Sequence, residues 1–212
     1  MLLSASRLSL GAQFEHQRFF TPYSKLFVQG SWIRHAYWTL HTARGRLLKV
    51  DFSAHEPTFN GSRHPKTVSI DDVTVRFDGH EMVIVAAGWR TRAKATRGAP
   101  HWGLPRLDIV VQPLYNVARS AIAPHGLLGQ TYDGDGVPTH GARDSYERLD
   151  DGTPTRSRKG TGGVITTRAK GEGGIEGTAE MYRVRKPFDT DFAFSRFGSE
   201  RPARPRVMPH KL

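Results

Sequence analysis

The chain has 212 residues, 31 Lys+Arg against 20 Asp+Glu, a formal net charge of +11 and no cysteine. Zero cysteine excludes disulfides, thiolate metal sites and thiol catalysis, and the length suits one domain rather than two independent cores. Hydrophobic residues are only 37% of the chain, but 11 Phe, 4 Trp and 6 Tyr can build a core, so global disorder is excluded.

Met1 to Gly11 is rich in Ser and Leu, and no acid precedes Glu15. Ser4, Ser6, Arg7 and Ser9 interrupt the apolar stretch that a secretory signal needs. Residues 1–22 therefore read as an N-terminal tail or targeting-like segment. No run approaches the ~18 apolar residues of a membrane helix. Ser31–Leu40 alternates as a strand, with Trp32, Ala36, Trp38 and Leu40 on one face and Arg34 as the exception. His35, Tyr37 and His41 share the other face, and two histidines without a third ligand make a poor zinc site. Asn60-Gly-Ser62 is both a glycosylation sequon and a turn signal.

Val68, Ile70, Val73, Val75 and Phe77 form a second strand-like segment, with a phase break at Asp71-Asp72 that suits a bulge. Asp78-Gly79 marks a tight turn, and the apolar run Met82–Ala87 returns from it as a hairpin. Leu107–Tyr115 is a further strand ending near Pro113. Short strands are expected around Val164–Ala169 and Met181–Val184, with Gly160–Gly163 and Gly171–Gly174 as connectors. The Pro/Arg-rich residues 198–212 read as an extended tail. No helix-period stripe persists, so the expectation is an all-β fold: one antiparallel sandwich or barrel-like domain over 23–197, with flexible termini.

Charge is segregated. Arg90, Arg92 and Lys94 project from one strand face, with Arg97 near its end. Together with Arg156, Arg158 and Lys159 they are candidates for a polyanion-binding surface, for which nucleic acid, sulfated glycan and acidic membrane all qualify. Aromatics are not interleaved with these bases as a stacking platform requires, and no nucleic-acid module is recognisable. Residues 124–152, by contrast, carry 2 bases and 6 acids. This acidic island places Asp133, Asp135 and Asp144 in a Gly-rich stretch, and closely spaced carboxylates can supply the oxygens a hard cation such as Ca²⁺ wants. The spacing is not an EF-hand: Val137 takes the third ligand position and Pro138 the place of the turn glycine.

The run His125-Gly-Leu-Leu-Gly-Gln130, followed by Tyr132-Asp-Gly-Asp135, resembles the Gly-Leu turn of von Willebrand factor type D domains. It is closer to the C-terminal domain of inter-α-trypsin inhibitor heavy chains, which has this turn without the cysteine. Gly174–Gly177 and Glu180-Met-Tyr-Arg-Val184 are similar to a later segment of that domain, so the likeness spans roughly residues 107–184. Uncharacterised algal and protist proteins share the pattern, including Phe192-Ala-Phe-Ser-Arg-Phe197. The resemblance implies a Ca²⁺ site at Asp133, Asp135 and Asp144, structural roles for Gly126 and Gly129, and an extracellular or cell-surface setting, although the sequence shows no clear signal peptide. Its departures are the missing cysteines, which remove covalent multimerisation, and the missing Asp-Pro-His-Phe through which heavy chains attach to hyaluronan.

No Gly-x-Ser-x-Gly elbow, Walker A loop or Gly-x-Gly-x-x-Gly fingerprint is present. The expected function is a non-enzymatic adhesion, assembly or ligand-binding module that takes Ca²⁺ and anionic polymers. The alternatives are a basic nucleic-acid or ribonucleoprotein-associated protein and, third, a hydrolase on a β scaffold. A scaffold does not fix an activity.

Overall fold

Alternating burial builds the molecule. The computed structural model describes residues 1–21, 25–96, 105–114, 122–132 and 178–199. One antiparallel sheet holds β1 (Leu3–Ser4), β2 (Leu8–Thr21), β3 (Leu26–His41) and β4 (Leu47–Ser53), in that order. The other holds β5 (Lys66–Ile70), β6 (Val73–Phe77), β7 (Glu81–Ala86), β8 (Trp89–Thr96) and β9 (Arg106–Pro113), also in sequence order and antiparallel. The all-β expectation holds, as two meanders packed into a sandwich.

Inward residues of both sheets form one apolar cluster. Along β8, Trp89, Thr91 and Ala93 are buried while Arg90, Arg92 and Lys94 are exposed, the period-two pattern of a sheet with one wet face. Trp38 of β3 and Thr91 of β8 are both fully buried, and the indole Nε1–H donates to Thr91 Oγ1 at 2.8 Å across the core. The Phe52 and Phe77 rings meet edge to face with centroids 5.9 Å apart, again joining the two sheets.

The N-terminal tail expected over residues 1–22 is overturned. Leu3, Leu8 and Leu10 are fully buried, and β1 and β2 are integral strands of the first sheet. Of the serines that break the apolar run, Ser4 and Ser9 are strand positions and are themselves buried, while Ser6 lies in the turn between β1 and β2. Among the described residues, β2 and β3 pair only with each other beyond Gln13, since β1 reaches no further than Leu10 and β4 no further than His35. This two-stranded arm exposes Phe14, Phe20 and Phe27.

Other local readings need correction. The register of β2 against β3 shifts at Gln13/Phe14, where Phe14 pairs with Ile33 and Gln13 with His35, leaving Arg34 as the extra residue. That bulge moves Trp32 to the face opposite Ala36, Trp38 and Leu40, and it explains why Arg34 breaks the pattern. Arg34 instead donates to Glu15 at 3.2 Å. Asp71-Asp72 is a tight turn between β5 and β6, not a bulge, and Asp71 has φ 53°. Met181–Val184 is not a strand either: Ala179–Tyr182 is a 3-10 turn. Val164–Ala169, the two Gly-rich connectors and all of the expected C-terminal tail except Gly198 and Ser199 lie outside the described residues.

The Asp71-Asp72 turn also ties the sheets together at one end. Arg46 donates to both Asp71 oxygens, at 2.6 and 3.0 Å, while Asp72 accepts from the Ala43 amide at 2.6 Å and pairs with Arg7 at 2.9 Å. Hydrogen bonding from Thr42 and Arg46 holds the Asp71 carboxyl below its ordinary value. Burial alone would raise Asp72, but the Ala43 amide and Arg7 outweigh it and its value is also lowered. A carboxylate depressed in the folded state stabilises above its unfolded pKa, and the contribution disappears as pH falls through the folded value. Asp71→Asn should therefore be less stable than wild type at neutral pH, with the gap closing as both are acidified. Urea melts across the acid range check this; a gap that stays constant with pH would show that the ionised carboxylate is not what matters.

Candidate functional site

The outer face of the five-stranded sheet gathers the described part of the basic surface. Cross-strand register sets its rows. One row runs Ser69, Thr74, Val85, Arg90, Gln112; the next runs Thr67, Arg76, Val83, Arg92, Val110. The third places Lys94 between Glu81 and Asp108. Between the first two rows lies an open groove of about 560 Å³, whose cationic lining is Arg76, Arg90 and Arg92 and whose floor includes Val83, Val85 and Val110.

Arg90, Arg92 and Lys94 thus share the face expected of them, but they are not equivalent. Arg92 is drawn toward Glu81 at 3.7 Å, whereas Arg76, Arg90 and Lys94 have no ion pair among the described residues. Lys94 sits in the row flanked by two acids, so among the described residues of this face the cations without an adjacent acid are Arg76 and Arg90. Sequence reasoning misses Arg76, although the alternation Val73, Val75, Phe77 already turns it outward. Arg76 and Arg92 flank Val83 on adjacent strands, which places them about 10 Å apart at ordinary strand spacing. Arg97, Arg156, Arg158 and Lys159 lie outside the described residues.

The Gly-Leu-Leu-Gly segment is a clamp on the first residues of the protein. Ser4 and His125 exchange backbone hydrogen bonds at 2.6 and 2.8 Å, the Leu127 amide donates to Met1 O, and the Leu128 and Gly129 amides both donate to Leu2 O. Gly126 has φ +108°, and a Cβ there would lie 2.6 Å from the Leu2 carbonyl oxygen. His125 is buried and packs as a ring rather than facing solvent: its centroid is 4.4 Å from Phe194 and 5.9 Å from Tyr182, both stacked. Its Nδ1 accepts from the Gly126 amide at 2.8 Å. The Tyr182 hydroxyl donates to Gln130 Oε1 at 3.1 Å, which fixes the later part of the sequence to the same clamp.

The 3-10 turn Gly129–Tyr132 ends where the acidic stretch of the sequence begins. Tyr132 is anchored there: its hydroxyl donates to Val111 O at 2.7 Å, and its ring meets Trp89 edge-on at 5.4 Å. Burial raises its pKa, so it remains a neutral donor. Asp133, Asp135 and Asp144 lie outside the described residues, and among the described residues no group of three His, Asp or Glu side chains is placed to hold a metal. His35, Tyr37 and His41 share a face as expected: His35 and Tyr37 stack at 5.7 Å, and His41 meets Phe197 edge-on.

The two clamp glycines should respond differently to substitution. Gly126→Ala combines positive φ with a clash against backbone and should cost roughly 3 kcal/mol. Gly129→Ala crowds a side-chain atom of Leu3 at 3.0 Å and no backbone atom nearer than 3.6 Å, at a φ that is not positive, and should cost distinctly less. Denaturant titration of both variants checks the order; equal losses would mean that close approach to Leu2 is not the constraint. No family model, no curated protein and no solved structure matches this sequence.

Proposed function

We propose that this protein is a non-enzymatic binding module that engages an anionic polymer across the outer face of its five-stranded sheet. The observation that carries this reading is the groove flanked by Arg76, Arg90 and Arg92, two of them without an ion pair among the described residues. Cations crowded on one rigid face repel each other, and a polyanion relieves that repulsion while releasing its own counterions. The groove lining contains no aromatic ring on which a nucleobase would stack. Contact is therefore with repeated backbone charge, which sulfated and carboxylated glycans present at regular intervals. Adhesion or assembly through such a polymer also agrees with the resemblance to von Willebrand type D domains and to the C-terminal domains of the inhibitor heavy chains.

Heparin affinity measured over a salt series tests the face. The combined change Arg76→Ala, Arg90→Ala and Arg92→Ala should weaken binding at least about tenfold and lower the logarithmic salt slope by about one per contacting cation removed. Arg183→Ala, away from this face and paired with Glu180, should change little. Wild-type affinity in the triple variant rejects the face. Strong binding to single-stranded RNA with none to heparin would instead favour the nucleic-acid alternative.

The resemblance adds Ca²⁺ held by Asp133, Asp135 and Asp144 to this proposal. What the fold adds is the anchoring of Tyr132, the residue before Asp133, to Val111 and Trp89. Bound only in the folded state, the metal stabilises by mass action. Millimolar Ca²⁺ should raise the melting temperature of wild type and leave Asp133→Ala unmoved. A wild-type melt indifferent to Ca²⁺ removes the metal.

A further inference from the structure

The outer face of the other, four-stranded sheet carries a recess of about 260 Å³, just below the usual range for small-molecule sites. It is independent of the cationic face because it lies on the opposite side of the sandwich. Its floor is Gly11, Gln13 and Tyr37, and its roof is the turn over residues 184–189.

Gly11 is the first unusual feature. Glycine weakens a strand interior and marks places where something approaches the backbone closely. Gly11 is not in the left-handed region, and a Cβ added to it would meet no atom nearer than Tyr37 O at 4.0 Å. No tight turn or backbone clash requires glycine here. What its missing side chain provides is room.

Phe188 is the second. It has φ 66°, a conformation that a bulky residue adopts only under constraint, and such constraint concentrates at binding sites. Three contacts enforce it. Phe188 O accepts from Thr39 Oγ1 at 3.0 Å, its ring meets Tyr37 edge-on at 5.2 Å, and Lys49 lies 5.6 Å from its centroid. The effect is a second aromatic wall against Tyr37.

Charge supplies the third. Arg185 and Lys186 border the recess, are exposed, and have no ion pair among the described residues. Among the lining residues the carboxylate is Asp189, which accepts from the Lys186 backbone amide at 3.0 Å, so the two cations outnumber it; a second acid, Asp51, pairs with Tyr37 across the strands but is outside the lining. Tyr37 donates its hydroxyl to Gln13 Oε1 at 2.9 Å, which leaves the Gln13 amide N–H groups to serve a ligand as donors. The recess therefore offers an apolar aromatic wall, an amide donor and an excess of positive charge.

We propose that this recess binds a small organic acid, with one anionic group met by Arg185, Lys186 and Gln13 and one apolar ring against Tyr37 and Phe188. The probe is 3-phenylpropionate, with 3-phenylpropan-1-ol as its uncharged counterpart and inorganic phosphate as the charge without the ring. Binding is followed by protein-observed NMR on the whole 212-residue chain. The acid should bind wild type with Kd on the order of 1 mM, and the alcohol and phosphate each at least about tenfold more weakly. Gly11→Val fills the floor with a residue that strands favour, so it should stay folded and lose binding.

The double change Arg185→Ala and Lys186→Ala leaves the floor intact, and it should bring the acid's affinity down to that of the alcohol. The Arg76, Arg90 and Arg92 triple variant should bind the acid as wild type does, which separates this site from the polymer-binding face. The proposal is overturned if wild type shows no saturable shifts with the acid, if folded Gly11→Val binds it undiminished, or if acid and alcohol bind alike. Should Gly11→Val fail to fold, the double variant still decides the question.

Discussion

Close approach of the Gly126 turn to Leu2 is the constraint on which the rest of the molecule hangs. Nothing larger than a hydrogen fits between two backbones that a Cβ would bring to 2.6 Å, so glycine is required there. Once that contact is made, the amides of Leu127, Leu128 and Gly129 all find carbonyls on the first two residues of the protein. Buried backbone groups must be paired, and these hydrogen bonds, each worth about 1 kcal/mol net, pair them. The late segment then docks on the same clamp. Tyr182 reaches Gln130, Phe194 stacks on His125, and the Arg196 amide donates to Ser4 Oγ. The start, middle and end of the described residues meet at one place.

That meeting gives the two outer faces of the sandwich different chemistry. The four-stranded sheet is partly roofed by residues 184–189, which turn its outward positions at Gly11, Gln13 and Tyr37 into a recess. Among the described residues the five-stranded sheet has no such roof over the groove, and its arginines remain in water. Exposure matters for those arginines, because long cationic side chains over an open sheet keep their hydration, which the proposed polyanion would have to displace. Enclosure matters for the recess, because charge contacts strengthen where water is partly excluded.

Strands with clean alternation are legible from the residues alone. The hairpin from Phe77 to Ala87, the strand ending at Pro113 and the outward set Arg90, Arg92 and Lys94 all follow from a period of two. Misreadings arise where one residue changes the phase. Arg34 as the extra residue of a bulge reverses Trp32, and Asp71-Asp72 passes for a bulge because a two-residue turn breaks the alternation equally well. The N-terminal Leu/Ser stretch reads as a tail because its serines interrupt the apolar run, yet the clamp makes Ser4 and Ser9 buried positions. A short polar residue is cheap to bury when its hydroxyl has a partner, and Ser4 Oγ accepts from Arg196.

The residues by themselves determined the class of the fold, because alternation and turn chemistry are local and need no knowledge of what lies opposite. They also determined the charge contrast and the absence of thiol chemistry. Only the tertiary structure decided which outward positions come together on one surface. Arg76 joined Arg92 across Val83 through strand register, and Gly11 came to face Phe188 across some 177 positions of sequence. Neither juxtaposition is written in any local window. Both depend on how the sheets stack and on the backbone clamp that returns the late segment to the first residues.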